Sequence, residues 1–265
     1  MASMDSIRVN GVAPGRDLAS AEWLDRRARH LVRNIGGLLP KDKQSPLLEI
    51  GCGAGTNLLA IAALGYADLR GVDYCDSQIR LARGLFGLPY THCSDALEFL
   101  RTETRRYRCI LALDVLEHLA LGYLLEFGEQ VKRCLEPGGT VIVRVPNALS
   151  PLNPLASGDL THVRAFSRRS LTQFFTASGL DPITVREESL PRHNLRSSIR
   201  AVAWSFAVRP AVALAATLIH GPASWSHPFT ANIVAAARRP AEASAPDGCS
   251  STDAPPLSQR FGGTC

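Results

Sequence analysis

The chain has 265 residues, 46% of them hydrophobic, 20% charged and 6% aromatic. It is too apolar for a disordered protein, lacks the Gly-X-Y period of collagen and any fixed solenoid repeat, and is long enough to fold without disulfide staples. The formal charge is +5, but 26 of the 29 basic residues are arginines scattered from Arg8 to Arg260, so charge gathers on no one element as a nucleic-acid-binding face requires.

Residues 1–20 carry no strong period and read as a loose lead-in. From Ala21 to Leu39 the apolar residues Leu24, Ala28, Leu31, Ile35 and Leu38 recur every three or four positions. That spacing predicts an amphipathic helix, ended near Gly36-Gly37 and Pro40. A short apolar run from Pro46 to Ile50 breaks into Gly51, Gly53 and Gly55, and an Ala/Leu-rich helix is predicted over 56–64. Strands are then predicted at 68–73, 89–93 and 107–114, with helices at 77–86, 96–104 and 121–134. The run Cys109-Ile-Leu-Ala-Leu113 is apolar throughout, as suits a strand covered on both faces. Glu136-Pro-Gly-Gly139 reads as a turn before a strand at 140–145; a helix at 170–178 and strands at 182–188 and 230–237 follow. Strands alternating with helices imply βαβ units and a parallel sheet.

Between the last two strands lies an insertion, Leu190 to Phe229. Its segment Ser198 to Ile219 is strongly apolar but interrupted by Arg209-Pro210, which argues against a spanning helix and predicts two short helices meeting at Pro210. Three roles suit it: covering an active-site mouth, forming a dimer face, or lying on a membrane surface with Arg196, Arg200 and Arg209 at the headgroups. From about Ala241, Pro, Ser, Ala, Asp and Gly dominate, and a disordered tail is expected. The seven cysteines (52, 75, 93, 109, 134, 249 and 265) form no CxxC pair, and no signal-type apolar stretch opens the chain. A cytoplasmic protein with reduced thiols is expected.

The chemistry concentrates where predicted strands end. Glu49-Ile-Gly-Cys-Gly-Ala-Gly-Thr56 falls at a strand-to-helix turn, where glycines admit close backbone approach and the helix start offers N–H donors. A nicotinamide fingerprint requires Gly where this chain has Thr56. Asp73 closes the second strand, placed either to accept from ribose hydroxyls or to cap the helix beginning near Ser77. Asp95 follows the third strand, placed to accept from an adenine amino group or to cap the next helix.

Together with Leu111-Ala-Leu-Asp-Val-Leu-Glu-His118 and Glu136-Pro-Gly-Gly-Thr-Val-Ile-Val143, these segments resemble the class I S-adenosylmethionine (SAM)-dependent methyltransferases over residues 45–190 and 230–237. The resemblance implies an α/β, Rossmann-like doubly wound, seven-stranded sheet, mostly parallel with its last strand antiparallel and the helical insertion before it. The domain would span 45–240. It implies S-adenosylmethionine as cofactor, with the Gly51–Gly55 loop under its methionine part, Asp73 at the ribose, Asp95 near the adenine, and Leu113 and Asp114 bordering the methionine end. The implied cofactor set is Glu49, Gly51, Cys52, Gly53, Gly55, Asp73, Tyr74, Asp95, Ala96, Leu113 and Asp114.

Methylating a hydroxyl requires a positioned base, and the candidates are Asp114, Glu117 and His118 after the fourth strand and Asp159-Leu-Thr-His162 after the fifth. The latter resembles the D-x-T-H … F-S stretch of quinone- and glycan-related small-molecule methyltransferases, which favours His162 as base, with Asp159 and His118 as further catalytic candidates. His162 would equally brace its loop, and Glu117 and His118 would equally begin a helix. Glu117 and His118 show no metal-ligand spacing with a further acid, so no metal is expected. Leu113-Asp-Val-Leu116 lacks the proline and aromatic of nucleic-acid amine methylases. The expected acceptor is thus a small-molecule, quinone-like or lipid-linked glycan hydroxyl, not nucleic acid, and peripheral membrane contact through 198–219 stays open as one of the insertion's three roles. A catalytically silent SAM-binding or partner-binding module is the alternative. The oligomeric state is left open.

Overall fold

The computed structural model describes residues 21–241 except 85, 152, 154–157, 193 and 222–226. The lead-in 1–20, His193 at the start of the insertion and all but the first residue of the expected tail therefore lie outside the described residues. Helix α1 (Ala21–Ile35) leads through a short 3₁₀ turn to β1 (Leu47–Ile50), α2 (Thr56–Ala63), β2 (Leu69–Asp73), α3 (Asp76–Gly84), β3 (Thr91–Cys93), α4 (Ala96–Thr102) and β4 (Tyr107–Leu113). A 3₁₀ turn (Leu116–His118) precedes α5 (Leu121–Cys134), β5 (Leu135–Pro146), α6 (Arg168–Ala177) and β6 (Asp181–Glu187). Helices α7 (Leu195–Ala203) and α8 (Arg209–His220) then precede β7 (Asn232–Arg238).

The seven strands form one sheet in the order β3-β2-β1-β4-β5-β7-β6. The first five pair in parallel, and β7 runs antiparallel to both β5 and β6. Alternation along the strands divides the core between two faces. Ile110, Ala112, Val141, Val143 and Val145 pack on one side with Phe127 and Val131 of α5 and Phe175 of α6. Cys109, Leu111, Leu113 and Ile142 pack on the other with Leu31 and Ile35 of α1 and Ile61 of α2. Both faces are covered, which is why the central strands read as unbroken apolar runs.

Two boundaries depart from the sequence reading. The Glu136–Gly139 turn lies inside β5: Leu135 already pairs with Tyr107, and the register skips to Cys109–Thr140, so the extra residues form a bulge rather than ending the strand's pairing. More consequential is the insertion. The two expected helices are one continuous helical run, Leu195 to Ile219, with a π-helical turn at Trp204–Val208 joining α7 to α8. Pro210 falls within the first two residues of α8, and the wider turn just before it accommodates the residue that lacks an N–H. The run is therefore long and apolar enough to cross a membrane by length and composition. It is also largely exposed, with Leu195, Ile199, Phe206, Leu214 and Leu218 uncovered.

Candidate active site

The chain direction from the sheet centre reverses between β1 and β4, and ligands of open α/β sheets bind at the strand C-termini beside such a switch point. Here β1 runs into Gly51, Gly53 and Gly55, all at positive φ (71°, 54° and 78°). The turn is pinned from below, since Gly51 and Cys52 both donate their N–H to the Val72 carbonyl, at 2.8 and 3.1 Å. A side chain at Gly51 would meet Val115 Cγ2 at 2.5 Å, whereas one at Gly53 would find nothing within 4 Å. The loop therefore presents open space on the Gly53 side. Gly55 caps α2 without a side-chain acceptor, so the first N–H groups of that helix have no capping side chain.

Asp73 joins this loop to β2. Gly53 N–H donates to Asp73 Oδ2 at 2.8 Å and Cys75 N–H to Oδ1 at 2.9 Å. Each carboxylate oxygen thus keeps one lone pair for a ligand. Asp95 does cap α4, accepting from Leu97 and Glu98 N–H at 2.9 and 3.0 Å. It also receives the Tyr123 hydroxyl, at 2.7 and 2.8 Å from its two oxygens. Burial, together with that bond to Asp95, pushes the Tyr123 phenol above its ordinary range.

A cavity of about 680 Å³ opens over these strand ends, lined by Gly51, Asp73, Tyr74, Asp95, Ala96, Asp114 and His118, and also by Tyr123, Thr161 and Val163. That volume lies within the range of small-molecule cofactor pockets. The remaining expected cofactor residues, Glu49, Cys52, Gly53, Gly55 and Leu113, do not line this cavity; Glu49, Cys52 and Leu113 are buried beneath the strand ends. Glu49 has no exposed surface, and burial raises its carboxyl to about 7 despite the Asn57 side chain donating to it at 2.6 Å. Nothing of the described insertion lines the cavity, so the expected covering of the mouth is not seen there.

Two loops, after β4 and β5, meet at the cavity wall. His118 and His162 meet edge to face with ring centroids 4.7 Å apart, and Glu117 beside them is 1% exposed. Of the two histidines only His118 reaches the cavity wall; His162 stands behind it, its side chain 11% exposed. Asp159 is half-exposed and accepts from Thr161 N–H at 2.8 Å and from the Thr161 hydroxyl at 2.7 Å. Those bonds, the hydroxyl's foremost, hold its carboxyl below the usual range. Because the Thr161 hydroxyl proton goes to Asp159, Thr161 Oγ1 can only accept from His118 Nδ1, 3.0 Å away, as can the Thr161 carbonyl at 3.1 Å. The proton of neutral His118 therefore sits on Nδ1, and Nε2 carries the lone pair. A backbone strap fixes the two loops together, Val163 N–H donating to the Glu117 carbonyl at 2.8 Å.

Sequence reasoning missed Tyr123, Arg144, Arg27 and Glu188. Arg144 carried a legible signal, a lone charge within the apolar Val141–Val145 run, since a charge at such a position demands partners. It finds Asp114 and Glu188. Arg27, on α1, donates to Asn57 Oδ1 at 2.7 Å, which links the N-terminal helix to Glu49 through Asn57.

A family model described as a methyltransferase domain matches residues 20–185. Among solved structures, the fold is similar to a SAM-dependent methyltransferase from Archaeoglobus fulgidus (TM-score 0.58, 17% identity, covering 83% of this chain and 94% of that one). It is also similar to a putative S-adenosylmethionine-dependent methyltransferase from Listeria monocytogenes (TM-score 0.55, 14% identity, 81% and 98% covered). A third is the N-methyltransferase NodS from Bradyrhizobium japonicum in complex with S-adenosyl-L-homocysteine (TM-score 0.51, 15% identity, 90% and 94% covered). No curated protein matches the chain significantly. With a match running from α1 into β6, a seven-stranded sheet of this order and a glycine turn bonded to the acid that ends β2, the chain belongs to the methyltransferase-domain family and is a class I S-adenosylmethionine-dependent methyltransferase.

Proposed function

We propose that the chain transfers the methyl group of S-adenosylmethionine to a hydroxyl of a small-molecule, quinone-like or lipid-linked glycan acceptor. The observation that carries this reading is the Glu117, His118 and His162 cluster, which meets the cavity through His118. S-adenosylmethionine supplies an electrophilic methyl on a positively charged sulfur. As the acceptor oxygen forms its bond to the methyl carbon, sulfur keeps the pair of the breaking bond and the hydroxyl proton must leave. Alignment supplies much of the rate; proton removal needs groups placed at the acceptor, and this cluster lies where the two loops after β4 and β5 meet.

Asp73 holds the ribose hydroxyls in this reading, Asp95 and Ala96 border the adenine, and Gly51 and Asp114 border the methionine. The insertion supports an apolar or lipid-linked acceptor. Its 25-residue helix leaves Leu195, Ile199, Phe206 and Leu218 exposed, and no Asp or Glu occurs from Ser189 to Ala241 while Arg192, Arg196, Arg200 and Arg209 do. Such a face suits a cytoplasmic enzyme resting on an anionic membrane surface.

The test is an acceptor screen with methyl-labelled S-adenosylmethionine over phenolic, lipid and glycan pools. Label recovered in an ether-linked methyl is expected, and its recovery only on nitrogen or carbon would overturn the hydroxyl assignment.

A further inference from the structure

We infer that Glu117, His118 and His162 form a site for a divalent first-row transition-metal ion. Each offers one ligand atom, and the three lie within 4.8 Å of one another. Bonds of about 2.1 Å to a tetrahedral ion place ligand atoms ~3.4 Å apart, so binding an ion draws the three ligand atoms closer together. The supporting groups are already in place. His118 Nδ1 is held by the Thr161 carbonyl and hydroxyl oxygens at 3.1 and 3.0 Å, so an ion would be taken by Nε2. Asp159 in turn fixes the Thr161 hydroxyl at 2.7 Å. This carboxylate–hydroxyl–imidazole chain is the outer-shell arrangement that orients metal-bound histidines. His162 turns Nε2 toward Asp159, at 3.8 Å, while its Nδ1 is buried and makes no hydrogen bond.

The ligand types decide the ion. Two imidazoles and one carboxylate suit zinc, iron, cobalt or nickel, and fit poorly the all-oxygen preference of magnesium and calcium. Three protein ligands leave positions open, and His118 faces the cavity, so an acceptor hydroxyl can complete the coordination. Coordination lowers the pKa of a bound hydroxyl or water, so the acceptor would release its proton to solvent before its oxygen attacks the methyl. This catalytic role rests on the hydroxyl-methylation reading; ion binding itself does not.

The experiment uses the full chain, stripped with a chelator and titrated with Co(II), followed by calorimetry and by the visible absorption of bound cobalt. One ion per chain is expected. His162→Gln and Glu117→Gln should each weaken binding by about 10²-fold or more, and Thr161→Val by about 10- to 100-fold with Thr161→Ser near wild type, with the ion-free midpoint of the Thr161 variants within a few degrees of the ion-free wild type. Absence of stoichiometric binding to folded wild-type protein, or binding unchanged in His162→Gln, would overturn the site. Because the readout is cobalt bound, a failed acceptor screen leaves this result standing, and the reverse holds too.

Discussion

Arg144 and Asp114 grip each other across the ends of β5 and β4. Arg144 Nε donates to Asp114 Oδ1 at 2.8 Å and Nη2 to Oδ2, while the Asp114 N–H donates to the Arg144 carbonyl at 2.9 Å. Asp114 is the one non-glycine residue of positive φ among those described, at 60°, a conformation that costs a side-chain-bearing residue about 1–2 kcal/mol. The fork offsets that cost and aims the strand end at the cavity. Although burial alone would lower it, Asp114 and Glu188 hold the Arg144 guanidinium firmly charged.

Arg144→Met is expected to destabilise the fold by about 2–3 kcal/mol. Breaking a buried pair costs about 3–5 kcal/mol, and the lower figure allows for the Asp114 side chain being 44% exposed. Arg144→Lys restores the charge without the two-pronged geometry and should recover only part of the loss. Urea unfolding measures both, and a wild-type midpoint in Arg144→Met would refute the account.

Asp73→Asn separates binding from folding better than Asp73→Ala does, because Asn keeps an acceptor for one of the two N–H groups of Gly53 and Cys75. Losing two charge-assisted bonds to a ligand, at about 1.5 kcal/mol each, corresponds to roughly 10²-fold weaker binding. Calorimetric titration with S-adenosylmethionine should find that loss with the thermal midpoint shifted by only a few degrees. Unaltered affinity would remove Asp73 from the cofactor site.

Two carboxyls, Glu49 fully buried and Glu188 partly so, give opposite dependences on pH. Glu49, raised by burial to about 7 from an ordinary 4.5, holds a proton in the folded chain that the unfolded chain has released. Stability therefore falls as pH rises from about 4.5 through 7, by about 3 kcal/mol, and the penalty is absent below that window. Burial would raise Glu188 too, but the His30 hydrogen bond, Arg144 and Asn232 outweigh it and hold the carboxyl at about 2. Its contribution is present above about 4.5 and is lost as pH falls toward 2. Unfolding midpoints measured at pH 5 and pH 8 should show the wild type weaker at pH 8 and Glu49→Gln nearly level. Equal slopes for the two proteins would exclude Glu49 as the source.

Membrane contact through the 195–219 run predicts co-sedimentation with vesicles rich in anionic lipid. Phe206→Asp with Leu218→Asp places charge on two side chains that are 81% and 80% exposed, so the fold should be unaffected while vesicle binding drops at least tenfold. Wild-type sedimentation of the double variant would rule the contact out.

The order of strands and helices, and the chemistry at the ends of β1, β2 and β3, were legible in the sequence because both arise locally. Alternation along a strand, glycine at a tight turn and a carboxylate that ends a strand keep their meaning without knowledge of distant neighbours. The pairing of Asp114 with Arg144 was not legible, since the two stand 30 residues apart. The continuity of the 195–219 helix was hidden too: Pro210 reads as a break unless a π-helical turn precedes it, and only the backbone reveals that turn. The cluster of Glu117, His118 and His162 shows the same divide most sharply. No spacing along the chain marks it, for its members come from loops after different parallel strands, and it forms because β4 and β5 lie side by side and the Val163-to-Glu117 strap draws those loops together.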